Sequence, residues 1–369
     1  MVTAQRLPAS LTPLDAALAA MLRDLAPVEP VELPPAEALR CIAAEMPALR
    51  AYPPRDVAVG DGWAMRANDL VGASSYAPLP LAERPLWVAA GAAMPDGTDC
   101  VVDADAVDVS GPLPQVLAEA IPGQGVRRAG SDIAAGRAVI AAGEPLLPRH
   151  LLLARAAGVA RLRVRRPRLR IVNISNGELA AQLIADTAQL AGAEIVCTEA
   201  APDMAAIADA LVADGCDLIV TIGGTGVGHT DATVNALASR GALIAHGIAL
   251  QPGRTAAVSR IDAMPVVALP GAPDQAFAAW WAIALPVLDR LLGRRARKSL
   301  ALPLERKIAS GVGIAEVVLL TRQHGSWSVI AIGDLSLDAI ARAEGLLIVP
   351  GGAEGFAAGT VVDAYMLRE

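Results

Sequence analysis

The chain has 369 residues, 54% of them hydrophobic but only 3% aromatic, so its cores must be built from Ala, Val, Leu and Ile. A formal net charge of −7 argues against nucleic acid as a partner. The longest apolar run, 276–288, falls short of the ~20 residues that span a bilayer and contains Pro286. The first ten residues lack the basic, apolar, then small-residue order of a secretion signal. A soluble cytoplasmic protein with no membrane partner is expected. Cys41, Cys100, Cys197 and Cys216 form no CxxC pair, which points to four buried thiols in a reducing compartment.

In chain order, a helix is expected over 14–26, ended by Pro27. A second is expected over 34–45, opened by Pro34-Pro35 and followed by Pro47. Residues 57–122 read as short strands between frequent Gly and Pro turns, and 148–157 as a helix stopped by Gly158. Arg161, Arg163, Arg165, Arg166, Arg168 and Arg170 crowd the following stretch; a solvated face or a junction of ion pairs is expected over an anion patch. From there strands (169–174, 194–197, 217–222, 265–269) alternate with helices (179–190, 204–213, 232–239, 275–292), the pattern of a parallel sheet covered on both faces. After a charged linker at 294–298, short strands punctuated by glycine return as a separate small β domain. His150, His229, His246 and His324 have no ligand spacing, and Trp280-Trp281 reads as core or interface.

The most informative stretch is 220–231, an apolar strand ending in Gly223-Gly224-Thr225-Gly226-Val227-Gly228-His229-Thr230-Asp231. Glycines at a strand's carboxyl end let backbone N–H groups approach a ligand, and the next helix adds the positive end of its dipole. That suits a phosphate. Asp231 would repel one unless a cation, most simply Mg²⁺, bridges them. The loop lacks the Gly-Lys-Ser/Thr of a P-loop, and His229 stands where a dinucleotide fingerprint needs its third glycine. In a doubly wound sheet ligands bind beyond the carboxyl ends of the strands. Three loops qualify: 175–178, 223–231 and 270–274.

Several segments in this order resemble the MoeA/gephyrin-E type molybdopterin molybdenumtransferases. Asp61-Gly62-Trp63-Ala64-Met65-Arg66 is similar to the family's DGYAVR. The stretch Gly91 to Val102 looks like its G-x-x-x-P-x-G-x-D-x-V-V. Gly125 to Ile133 looks like its N-V-R-x-x-G-E-D-I, and Leu335 to Leu346 resembles its L-x-S-x-x-x-A-N-G-L. The resemblance implies a multi-domain α/β plus β protein with four parts. A discontinuous N-terminal domain covers 1–52 and 122–166, and a β-rich second domain 53–121. A doubly wound parallel-sheet molybdopterin-binding domain covers 167–296, and a C-terminal small β-barrel 297–369. It implies a homodimer whose cleft joins one subunit's third domain to the partner's second. The implied activity is insertion of molybdate into adenylylated molybdopterin with release of AMP, assisted by Mg²⁺. The carried-over roles are catalytic for Asp61, Asp132, Asp231 and Glu178, with Asp231 holding the metal. Gly223, Gly224, Thr225, Gly226, Gly228, Ser175, Arg254 and Gly271 would bind the pterin.

The departures cluster on the phosphate side. The family's G-D-E-L is shortened to Gly177-Glu178-Leu179, K-P-G-K-P reads Gln251-Pro252-Gly253-Arg254-Thr255, and G-N-P-V-S reads Gly271-Ala272-Pro273-Asp274-Gln275. A basic group, an amide and a hydroxyl are lost and a carboxylate is added. A catalytically impaired member, binding molybdopterin or a partner molybdoenzyme as a carrier or assembly factor, is therefore the alternative. A pterin-domain fold turned to a nucleotide is a third reading, which the other domain signatures oppose.

Overall fold

The computed structural model describes residues 5–174, 177–212 and 214–367. Its centre is a six-stranded sheet, built in chain order as β1 (Arg168–Ile174), α1 (Glu178–Ala191), β2 (Glu194–Ala200), α2 (Met204–Ala210), β3 (Leu218–Ile222), α3 (Thr233–Arg240), β4 (Ala242–His246), β5 (Ala257–Ile261) and β6 (Met264–Leu269). A closing helix follows: Pro273–Ala279 runs through a π-turn, Trp280–Ala284, into Leu285–Leu292, together α4. The strand order is β2-β1-β3-β6-β5-β4. The first four strands are parallel, as the alternating pattern predicts. Strands β4 and β5, not anticipated in the sequence, add an antiparallel edge.

Alternate strand residues explain the two layers of helix. Leu169, Ile171, Leu218, Val220, Val267 and Leu269 pack with α1, α4 and the helix Leu14–Leu22 on one face. Val172, Ile174, Ile219, Val266 and Ala268 pack with α2 and α3 on the other. Side chains of a strand point alternately to its two faces, so a run apolar at every position is buried on both. Gly192, at φ 106°, ends α1 in a left-handed cap. Trp280 is fully buried beneath α4. Trp281 is half-buried, with the Arg297 guanidinium 5.8 Å from its ring centroid.

Four expectations need correction. No helix forms over 34–45: Arg40 sits at φ 69°, Cys41 N donates to Ala38 O, and Val31–Leu33 and Ile42–Ala43 instead flank Leu162–Arg165 as a three-stranded sheet. The 294–298 segment is pinned rather than a free linker: Arg295 N donates to Gly143 O, and Arg297 makes a bidentate pair with Asp289 at 2.6 and 2.7 Å. The C-terminal sheet is not built from 297–369 alone, because the strands Thr12–Pro13 and Ile248–Gln251 extend it. The thiols are not all buried either, since Cys197 is exposed on edge strand β2.

The arginine-rich stretch is a junction. Arg163 pairs with Glu45 at 2.7 Å and Arg165 Nε donates to Val28 O, while Arg170 donates to Val212 O and Asp214 O. The N-terminal region has one core built from two chain segments, Ala38, Cys41 and Leu49 packing with Ile133, Val139, Leu146 and Leu151. No described helix is long and apolar enough to cross a membrane.

The strands pair in the order Ser299–Pro303, Val361–Met366, Gly345–Val349, Ala315–Gln323, Ser326–Ile332. A bridge from Leu304 to Trp327 closes them into a barrel. Trp327 is fully buried inside, its Nε1 donating to Leu300 O at 3.1 Å. A Cβ on Gly345 would lie 2.8 Å from its ring. Trp327→Ala should lower stability by about 3–5 kcal/mol, read by chemical denaturation.

Glu344 accepts from Arg322 N, Arg322 Nη2 and Thr321 Oγ1, and the Arg322 backbone bond leads in holding its pKa at about 2 against 4.5. A depressed carboxyl stabilises the fold above its unfolded pKa and loses that contribution as pH falls toward the folded value. Glu344→Gln should therefore flatten the fall in melting temperature between pH 4.5 and about 2, measured as melting temperature against pH.

Candidate functional site

Three strand ends meet where the glycine loop begins. Gly223, at φ 97°, donates from its N to Leu269 O, and a Cβ there would stand 2.6 Å from Ile174 O. A Cβ on Gly271 would lie 3.4 Å from the Gly223 Cα. Gly224, at φ 65°, would bring a Cβ to 2.4 Å from Thr233 Oγ1, which itself donates to Gly223 O. Only glycine tolerates both the backbone angles and the close approach. Farther along, the loop folds around Asp231. Gly228 N donates to Asp231 Oδ2 at 2.7 Å, and a Cβ on Gly226 or Gly228 would come within 2.7 or 2.9 Å of that oxygen.

The carbonyls of the loop are tied from behind. Gln5 Nε2 donates to Gly224 O (3.0 Å) and Gly226 O (2.8 Å), and His246 Nε2 lies 3.0 Å from Thr225 O. In a trans peptide the N–H points opposite to the C=O. The amides of Thr225, Gly226 and Val227 therefore face away from these side chains, and among the described residues they donate to nothing. Successive unpaired amides of this kind make an anion-binding concavity.

Gln5 also corrects the expected use of the helix dipole. Its Oε1 accepts from Val234 N (2.8 Å) and Asn235 N (3.4 Å), so the first turn of α3 is capped by the protein itself. Sequence reasoning missed Gln5, which is 4% exposed. A lone polar residue near a chain end carries no local signal. Two further residues were missed: Asn173 and Thr221 are buried at the ends of β1 and β3, with Asn173 Oδ1 and Thr221 Oγ1 unpartnered among the described residues. A polar residue just inside the end of an apolar strand is the signal that could have found them.

The remaining candidates divide between the loop and more distant positions. Thr225 is buried, with its Oγ1 3.3 Å from Thr255 Oγ1, which brings the 251–255 turn beside the glycine loop. Arg254 is exposed and lines a cleft of about 400 Å³ with Gln251, Asp274, Gln275, Gly333 and Asp334. The Gln251 amide is tied to Gly333 O at 3.1 Å. Two carboxylates thus face one guanidinium there.

Glu178 is exposed on the first turn of α1, and Ser175 lies outside the described residues. Asp61 Oδ1 accepts from Ala90 N at 2.7 Å, and Asp132 pairs with Arg127 at 3.1 Å. Neither bonds to any residue of the glycine loop. No group of three His, Cys, Asp or Glu side chains among the described residues could hold a metal ion. Asp231 offers one carboxylate whose Oδ1 makes no hydrogen bond among the described residues. That fits an Mg²⁺ shared with ligand phosphates, which needs only one or two protein carboxylates.

An α/β sheet with an amide-lined loop at its switch end has the geometry of an anion-binding site. Comparison with known proteins narrows the class. Residues 12–158 match the model of the MoeA N-terminal region (domain I and II), and 170–290 that of a probable molybdopterin binding domain. Molybdopterin molybdenumtransferase 2 of Mycobacterium tuberculosis is 31% identical over 402 residues, covering 95% of this chain and 97% of its own. The molybdopterin molybdenumtransferase of Synechococcus elongatus is 27% identical, with 89% and 92% covered. The chain belongs to the molybdopterin molybdenumtransferase family. Two solved MoeA structures from Pyrococcus horikoshii share the fold, with TM-scores of 0.71 and 0.68 at 24% and 22% identity, covering 98% and 97% of this chain and 100% of theirs.

Gly224→Ala should abolish ligand binding at the loop while the protein still folds, because the added methyl displaces Thr233 and turns the loop. Calorimetric titration with molybdopterin, beside a melting curve, checks this.

Proposed function

We propose that this chain inserts molybdate into adenylylated molybdopterin with release of AMP, as a step of molybdenum cofactor biosynthesis. The row of unpaired amides at Thr225, Gly226 and Val227, with Asp231 beside it, carries the reading. Breaking a phosphoanhydride needs charge neutralisation and positioning more than covalent chemistry by the protein. The loop amides hold the phosphoryl oxygens at fixed positions. Asp231 is held in place by Gly228 N and keeps Oδ1 for a cation. Bound Mg²⁺ would neutralise the oxygens between which charge develops. A cleft with two carboxylates and one guanidinium would otherwise repel an anionic substrate, which supports the cation. Arg254 adds an exposed positive charge at the rim.

The proposal includes the four-part division at 52/53, 121/122, 166/167 and 296/297. It also includes a homodimer in the cytoplasm, with the partner subunit's second domain completing the cleft. Asp61 and Asp132 are exposed and bond to no residue of the glycine loop in their own chain, so they would reach a substrate across such an interface. In this arrangement they and Glu178 would be the further acids facing the substrate.

A second reading is favoured by the changed wall. The Gln251 amide is engaged by Gly333 O, and Asp274 puts a carboxylate at the start of α4, where it competes with phosphate for the helix dipole. In this reading the protein binds molybdopterin and passes it to a molybdoenzyme without turnover.

Adenylylated molybdopterin, Mg²⁺ and molybdate, incubated with the purified protein, should yield AMP. Asp231→Asn, which keeps the shape but removes the charge, should slow release by about 100-fold or more. Molybdopterin binding without AMP above background would leave the carrier reading, and no molybdopterin binding would sink both.

A further inference from the structure

We propose that Gln5 is a positioning residue whose carboxamide sets the peptide planes of the glycine loop so that its amides face the ligand. The inference rests on the phosphate reading above. One buried carboxamide serves two elements. Its nitrogen holds the carbonyls of Gly224 and Gly226, and its oxygen caps α3 at Val234 and Asn235.

Nothing else among the described residues holds both carbonyls at once. The Gly226 carbonyl has no other donor, and the Gly224 carbonyl has only Thr233 N at 3.1 Å. Glycines at 224, 226 and 228 make this segment the one most able to turn its peptide planes over. A planar amide that donates at one end and accepts at the other is what two carbonyls and two N–H groups on facing elements require. Ionised Glu would offer acceptors only, and Met would offer no comparable donor.

The residue reaches the loop on an anchored arm. Thr12 N donates to Gly247 O, and the strand Thr12–Pro13 pairs with Ile248 and Ala249. A Cβ on Gly247, at φ 79°, would fall 2.9 Å from Pro8 Cδ and 3.2 Å from both Leu7 and Leu11. The arm thus packs closely over the turn between β4 and the strand Ile248–Gln251, immediately after His246, which holds the intervening Thr225 carbonyl. Three consecutive carbonyls are held by two side chains far apart in the chain.

The two tasks can be separated. Gln5→Glu keeps an oxygen for the α3 amides but repels the two carbonyls, and Gln5→Met loses both functions at similar volume. Full-length proteins are titrated with molybdopterin at pH 8 and melted in parallel. Gln5→Met should lower both affinity and melting temperature. Gln5→Glu, which buries a carboxylate against two carbonyls, should also melt lower, and at a temperature where both variants are fully folded it should bind about 10- to 100-fold more weakly than wild type. In turnover, Gln5→Glu should raise KM by that factor with little change in kcat.

A Gln5→Glu variant that binds within threefold of wild type overturns the proposal. So does an affinity loss that vanishes when both variants are titrated well below their melting temperatures. If the wild type itself binds no molybdopterin, the proposed function fails and crystal structures decide this inference separately. Gly224 and Gly226 carbonyls turned away in Gln5→Glu support it; carbonyls still directed at residue 5 overturn it.

Discussion

The close approach of backbone to backbone at the ends of β1, β3 and β6 is the constraint on which the rest depends. Ile174 O, the Gly223 Cα and Gly271 occupy space that any side chain would take. Because the three strand ends touch, the loop after β3 must leave the sheet sharply and return around Asp231. Its carbonyls are driven inward, where Gln5 and His246 meet them, and the amides of Thr225, Gly226 and Val227 find no acceptor among the described residues. A buried amide without a partner is costly. The fold tolerates this where an anion supplies the missing acceptor.

The same economy of space shapes the joints between parts. The strand Ile248–Gln251 leaves the central region, crosses to the barrel sheet and returns to β5 through the 251–255 turn. One apolar cluster continues from the sheet through α4 to Val317, Leu319 and Leu346 of the barrel. The cleft holding Arg254 is therefore walled by both parts, and Gln251 ties them across it at Gly333. The residue that departs from the family's basic pattern has become a cross-link between two walls.

Much of this was legible in the sequence where a pattern reports burial. The alternating apolar strands and helices from 168 to 292, the Gly192 stop and the glycine loop all follow from local rules. The failures have particular physical causes. The 34–45 segment is rich in helix formers, but its Val31–Leu33 and Ile42–Ala43 flanks gain more by pairing with Leu162–Arg165. Strands β4 and β5 were hidden because an antiparallel edge needs no crossover helix to announce it. Among the site residues, the glycines were readable because their conformations exclude other side chains. Gln5 was not, because its role arises from partners more than 200 residues away.

That separation also bears on synthesis. The partners of Gln5 lie 219 to 230 residues further along, and Thr12–Pro13 waits for the strand at Ile248. Gln5 and Thr12–Pro13 are thus among the last residues to find their places, long after they are synthesised. The central sheet can assemble around β1 and β3 while the amino terminus is still unengaged, and contacts this distant in sequence form slowly. Docking of the arm reports that α3 and the strands behind it are already in place. Completion of the binding loop is in this way coupled to completion of the domain that carries it.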